Sequence, residues 1–340
     1  MKKKNLNYLV LFIALSLVLY FSLKDNFYDI IKTLLNVNLI VILVAFFCYL
    51  LYLFFKGVAL YVFTRKTNEN ITFRFCMLLT FETQFFNGIT PLQLGGKPYE
   101  IYRFKKNNVG VGVATNLVIK EFISYQFALV TIETLALLFN SIFKFYKIPK
   151  YAIGILVISY IINLMSLVML FVLSNKKCKN KISKIIKKII KYFNKLKIFR
   201  KLNLDDEKVN RTLNDFSNKG KLFREDKFNF SASIVFNIIS LILFYSIPYF
   251  ILIALGSNTV PYFVSVLIIN FVLMIGNIIP IPGSIGGMEY TFVKFFEIYI
   301  TSGTILSLTM LLWRFITYIL GLIVGFITLL IDKGDDYVWE

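Results

Sequence analysis

Residues 75–106 read FCMLLTFETQFFNGITPLQLGGKPYEIYRFKK. The stretch opens apolar, then passes through two prolines and a glycine pair into charges of mixed sign. A helix needs roughly 20 apolar residues to cross a bilayer core, and residues 75–89 fall short of that. Whether this segment crosses or turns back decides the topology of everything around it.

The surroundings are greasy throughout. Apolar residues make up 57% of the 340-residue chain, and runs long enough to span a membrane recur along it. That composition excludes a soluble domain and gives an all-α class, a polytopic helical membrane protein. Candidate segments are 6–23, 39–63, 75–89, 111–140, 151–174, 228–255, 261–281 and 304–331, so about six to eight enter the membrane. All but 75–89 are long enough for a tilted helix. The opening MKKKN and Leu6–Leu23 resemble a signal peptide. However, the apolar run is long and no A-x-A site follows it, so it reads as an uncleaved first span.

The net charge of +19 is unevenly spread, with twelve basic and no acidic residues between Lys176 and Lys201. Flanked by apolar spans, such a run is a topology signal that places the linker in the cytoplasm. It points to anionic lipid headgroups as partner and away from nucleic acid. Within it, Ile182, Ile185, Ile186, Ile189, Ile190 and Phe193 recur at helical spacing, which suits a helix on a membrane surface or one packed on cytoplasmic loops. The chain divides into a membrane half, 1–174, the basic linker, 175–227, and a second membrane half, 228–340.

Parity then bears on residues 75–89. With the N-terminus inside, two spans return the chain to the cytoplasm near Arg65, Lys66 and Arg74. A full crossing at 75–89 would leave the basic linker outside after two more spans, against the charge rule. A segment that dips in and turns back keeps both Arg103–Lys106 and the linker inside, although Lys144, Lys147 and Lys150 then face outward.

A partner to the break occurs later in the chain. Asn87, Pro91, Gly95, Gly96 and Glu100 are echoed by Asn277, Pro280, Gly286, Gly287 and Glu289 in NIIPIPGSIGGMEYTF, with nine residues from proline to glutamate in both copies. Backbone broken inside a membrane leaves polar groups that lipid cannot satisfy, so such breaks line protein or a polar cavity. Two of them in corresponding halves, as in an inverted repeat, point to a transport site at the midplane. Ordinary loops with helix-ending Pro and Gly are the plainer reading.

Charged residues inside the apolar segments carry the remaining information, because ionisable groups at that depth face the bundle interior. Lys97, Glu100 and Arg103 would share a helix face. Lys120 and Glu121 sit in the fourth segment and Arg314 in the last. Arg314 would neutralise Glu289 or Glu100, and Lys120 one of the glutamates. Glu133 and Lys56 read as snorkelling groups near an interface. Histidine is absent, and the three cysteines, Cys48, Cys76 and Cys178, show no paired spacing. Neither a His-based nor a Cys-based metal site or catalytic dyad is therefore expected. LGGKP fails the phosphate-loop pattern, since Pro91 stands at the first glycine position and Pro98 follows the lysine. No catalytic residue and no cofactor or metal ligand is expected.

ITPLQLGGKPYEIYRFKK followed by VIKEFISYQ, and PIPGSIGGMEYTF followed by LLWRFITYILGLIVG, resemble the lysylphosphatidylglycerol synthase transmembrane region. That family is the flippase-like membrane domain of bacterial multiple peptide resistance factors. The resemblance implies a multi-pass protein of the bacterial cytoplasmic membrane that moves aminoacylated phosphatidylglycerol or a related anionic or lipid-linked headgroup between leaflets, a link to antibiotic resistance. It also implies that the lysyltransferase part lies outside this chain, so a separate aminoacyl-lipid synthase is an expected partner. One position departs from the pattern: Lys97 follows the glycine pair where relatives often carry Gln or Glu. In the expected site, Lys97, Arg103 and Arg314 meet phosphate, while Glu100 and Glu289 meet an amino group or balance the arginines. The alternatives are the membrane part of a lysyltransferase system, an ion-coupled transporter of a small polar solute, and a scaffold without transport. A homo-oligomer is compatible with each.

Overall fold

The structure is a computed structural model that describes residues 32–33, 35–65, 71–173 and 227–331. The candidate span 6–23 and the basic linker, with its apolar periodicity, lie outside the described residues. Those described form helices and no strand. In order they are α1 (Leu39–Thr64), α2 (Phe73–Ile89), α3 (Gly96–Lys106), α4 (Val111–Phe143), α5 (Lys150–Leu173) and α6 (Lys227–Ala254). There follow α7 (Tyr262–Gly276), α8 (Gly287–Phe296), α9 (Gly303–Arg314) and α10 (Leu320–Ile331). A π-turn over Phe315–Ile319 joins α9 to α10 as one rod.

Five stretches are long and apolar enough to cross a membrane: Leu39–Thr64, Val111–Phe143, Lys150–Val168, Lys227–Ala254 and Gly303–Ile331. The protein is thus an all-helical, multi-pass membrane protein. Its outer surface agrees with this. Ile158, Ile161 and Met165 of α5 and Leu39, Leu43 and Phe47 of α1 are exposed, as expected of side chains that face hydrocarbon.

One expectation needs correction here. Residues 261–281 do not form a spanning helix: α7 has 15 residues and ends at Gly276. Asn277, Pro280, Pro282 and Gly283 follow at once, and proline can neither donate to nor sterically continue the helix. Residues 75–89 and 261–281 are therefore alike, each a short arm that leads into a break.

α1 and α6 form the central pair and run antiparallel along their full length. The Asn38 N–H donates to the Ala254 carbonyl at one end (3.0 Å), Tyr52 packs on Phe244, Phe55 stacks on Phe236, and Phe63 meets Phe230 at the other end. Small buried residues let the backbones approach: Ala45 and Ala59 on α1, Ser233 and Ser240 on α6. Apolar association between helices gains little in lipid, so close packing and interhelical hydrogen bonds must hold the pair. Ser233 Oγ bonds the Ala59 carbonyl at 3.1 Å and Ser124 Oγ of α4 at 2.8 Å, tying three helices together.

Each break closes a helical hairpin. α3 runs back along α2, so that Asn87 lies opposite Gly96, Phe86 opposite Tyr99, Glu82 opposite Arg103 and Phe75 opposite Phe104. Likewise α8 folds back on α7. Ser284 Oγ donates to the Gly276 carbonyl (2.7 Å), and Tyr146 packs on both Phe271 of α7 and Phe295 of α8. α10 crosses the first hairpin at Gly325, where an added Cβ would stand 2.7 Å from the Phe81 carbonyl oxygen of α2. Only glycine lets the two backbones lie that close.

Candidate functional site

The two breaks share a backbone design and meet. In the first, Pro91 starts a 3₁₀ turn, and Leu92 and Gln93 take left-handed φ of 54° and 55°. In the second, Pro282 starts the turn, and Gly283 and Ser284 take φ of 62° and 52°. Left-handed backbone at a non-glycine residue costs roughly 1–2 kcal/mol, so strain of this kind persists only where surroundings enforce it. Four hydrogen bonds hold the first turn. The Gly95 N–H donates to Thr90 Oγ1 (2.9 Å) and the Gly96 N–H to Asn87 Oδ1 (3.0 Å). The Gln93 and Leu94 amides bond the Thr90 and Pro91 carbonyls.

This geometry revises the internal echo. The sequence pairs Pro91 with Pro280, whereas the matching turns pair Pro91 with Pro282, Gly95 with Gly286 and Gly96 with Gly287. Pro280 is an exposed residue ahead of the turn, and Asn277 caps the C-terminus of α7. Glu100 and Glu289 are then not equivalent. Glu289 belongs to the first turn of α8, where Oε2 accepts the Gly286 N–H at 2.6 Å. Glu100 lies further along α3. Gly286 itself adopts φ +86°, which a side chain rarely tolerates.

The tips face one another beneath the last rod. Tyr318 of the π-turn donates its hydroxyl to the Gly88 carbonyl at the end of α2 (3.2 Å) and covers Gly283 of the other tip. Between them lies a cavity of about 90 Å³. Gln84, Asn87 and Gln93 line it from the first hairpin and Gly283 and Met288 from the second; Trp313 and Arg314 close it from the rod. A π-turn beside Arg314 fits the habit of such bulges to occur at functional sites.

Arg314 is held from several sides. Its Nε donates to Glu289 Oε1 at 2.5 Å, Nη2 to the Gly283 carbonyl at 2.7 Å, and Nη1 approaches Met288 Sδ at 3.5 Å. The guanidinium also lies 4.9 Å from the Tyr318 ring. Of the two pairings open in the sequence, Glu289 or Glu100, the structure forms the first.

A second polar cluster belongs to the first hairpin. Lys97 Nζ donates to Glu100 (3.0 Å) and also to Glu121 of α4. Lys56 of α1 borders the small adjoining cavity with Glu100, Glu121 and Gln84. Its ammonium lies over the rings of Tyr52 and Tyr125, at 5.5 and 5.2 Å. Because Gln84 borders both cavities, the two clusters are neighbours. Arg103 leaves the face expected of it: its Nε bonds Glu82 at 3.1 Å, and Tyr99 donates its hydroxyl to the same oxygen at 2.7 Å. Lys120 lies over the Phe63 ring at 5.8 Å.

Two groups differ from their sequence reading. Glu133 does not snorkel but is fully buried, with Asn163 of α5 donating to Oε1 at 2.8 Å. Lys56 points into the bundle. Sequence reasoning also missed Gln84, Trp313 and Tyr318 at the tip cavity. For Trp313 and Tyr318, proximity to Arg314 in WRFITY was the available signal.

The model of the lysylphosphatidylglycerol synthase TM region matches residues 7–325. The chain belongs to that family. The matched stretch takes in both hairpins and the rod as far as Gly325. A UPF0104 membrane protein of Archaeoglobus fulgidus is similar at 23% identity over 303 residues, covering 86% of each chain.

Proposed function

We propose that the protein binds a lipid headgroup in the cavity between the two hairpin tips and helps that lipid change leaflets. The observation that carries this is the meeting of both broken segments around one cavity with Gln84, Asn87, Gln93 and Arg314 in its wall. A headgroup crossing a bilayer needs polar partners along its way while its acyl chains remain in lipid. Hairpins that enter from opposite sides and touch at mid-depth would supply such partners where a continuous apolar helix could not. In this reading α2–α3 and α7–α8 are re-entrant, and the N-terminus and the 175–227 linker lie in the cytoplasm of a bacterial cell. The headgroup is that of an aminoacylated phosphatidylglycerol or another phosphate-bearing lipid. A separate aminoacyl-lipid synthase is the natural partner for the aminoacylated case.

The test is a leaflet-accessibility assay in proteoliposomes. Labelled phosphatidylglycerol, its lysyl form and a polyprenyl-phosphate sugar are compared with and without the protein. Faster exchange of at least one of them is expected, together with its loss in Arg314→Ala. Exchange no faster than in empty liposomes for all three lipids overturns the reading.

A further inference from the structure

We propose that the tip cavity is an anion site, and that the headgroup it accepts carries phosphate but no accessible amine. This deepens the lipid-headgroup reading above and rests on it for the identity of the ligand as a lipid. Two sets of observations support the proposal.

The first concerns donors. Among the described residues, the charged side chain that lines the cavity is Arg314, and no carboxylate lines it. Arginine has five N–H donors; those directed at Glu289, Gly283 and Met288 account for three. Beside it, Trp313 is 1% exposed, and its Nε1–H finds no acceptor. A buried indole N–H without an acceptor is costly. Its ring is fixed by stacking on Phe292 at 4.9 Å, and the residue lines the cavity beside Arg314. Asn87 and Gln93 add side-chain amides to the same wall. A guanidinium with spare donors next to an orphan N–H is built for an oxyanion such as phosphate.

The second set concerns the carboxylates that an amine would need. Glu100 and Glu121 are already bridged by the ammonium of Lys97, which therefore sits where a substrate's primary amine would bind. Glu289 is held by Arg314 and by the Gly286 N–H. Glu82 is held by Arg103 and Tyr99. Glu133 lines neither cavity. A lysyl headgroup would have to displace an internal cation from a buried pair, whereas an anionic one displaces nothing.

Isothermal titration calorimetry on the detergent-solubilised chain reads this without any transport step. The ligands are dioctanoyl-phosphatidylglycerol and its lysyl ester. The first is expected to bind at least about tenfold more tightly, the scale of one hydrogen bond to a charged group. Trp313→Phe, which keeps the stack but removes the donor, and Arg314→Gln are each expected to weaken the anionic ligand by about tenfold or more. Lys97→Gln frees Glu100 and Glu121 and is expected to raise affinity for the lysyl ester. Equal or tighter binding of the lysyl ester by the wild type overturns the proposal, as does no binding of phosphatidylglycerol. Binding with the expected preference but no leaflet exchange leaves the anion site standing and sinks the transport reading instead.

Discussion

Arg314 and Glu289 lie on different elements, the rod and α8, and both side chains are about nine-tenths buried. Removing one partner of such a pair strands the other charge, at a cost of roughly 3–5 kcal/mol. Glu289→Gln is therefore expected to lower the unfolding temperature in detergent markedly. Replacing both by leucine is expected to cost less than the single change, because no lone charge remains. A single variant as stable as wild type would contradict the pairing. The Arg314–Glu289 pair was legible only as one of two, with Glu289 or Glu100 as partner, because few ionisable residues interrupt the apolar segments. The Lys97–Glu121 bond was not legible, since α3 and α4 come together only through a turn whose direction no local pattern reveals. Arg103 shows the same limit: helical spacing put it beside Glu100, and the hairpin's fold-back gave it Glu82 instead.

At the scale of elements, the long helices and the first short arm could be read from apolar run length, and both breaks from Pro and Gly, whereas the second arm was hidden in the run 261–281. The register of the two breaks could not be read. Nine residues from proline to glutamate in each copy is a numerical coincidence. The structural match follows the prolines that begin the left-handed turns, Pro91 and Pro282. Backbone φ is not written in residue spacing, and Leu92 and Gln93 reach it without glycine. The contact of α10 with α2 offers a cleaner test. Gly325→Ala puts a methyl 2.7 Å from the Phe81 oxygen and 2.8 Å from the Phe85 nitrogen, both backbone atoms. Overpacking of this kind costs about 1–3 kcal/mol, so a clear drop in unfolding temperature is expected. Gly154→Ala on α5, with nothing within 4 Å of the added carbon, is the control and is expected to unfold at or near the wild-type temperature. Equal behaviour of the two variants would remove α10 from the face of α2.

At the scale of the whole molecule, two hairpins are closed by a rod and braced by the α1–α6 pair. The first hairpin packs into one apolar cluster and the second into another, and α1 and α4 contribute buried residues to both, so the hairpins are anchored to a common frame. The topology is testable by cysteine labelling in sealed vesicles. A cysteine at Lys105, exposed at the end of α3, is expected to react from the same side as one at Arg65, exposed at the end of α1 ahead of the first hairpin. Labelling of the two from opposite sides would mean that the first hairpin crosses the membrane after all. Sequence alone could pose that question through charge parity, because lysine runs report sidedness. It could not bring the two tips together, which depends on Tyr318 bridging Gly88 and Gly283 across more than 200 residues of chain.

The most direct measurement places a removable obstruction between the tips. Gln93→Cys, at the cavity wall, is introduced into a chain whose Cys48, Cys76 and Cys178 are alanine, and leaflet exchange of labelled phosphatidylglycerol is followed in proteoliposomes. Modification with a bulky methanethiosulfonate is expected to stop exchange, and dithiothreitol to restore it. The same treatment of a cysteine at Phe139, on the outer face of α4, is expected to change nothing. Undiminished exchange after complete labelling of the cysteine introduced at Gln93 would contradict a path between the tips.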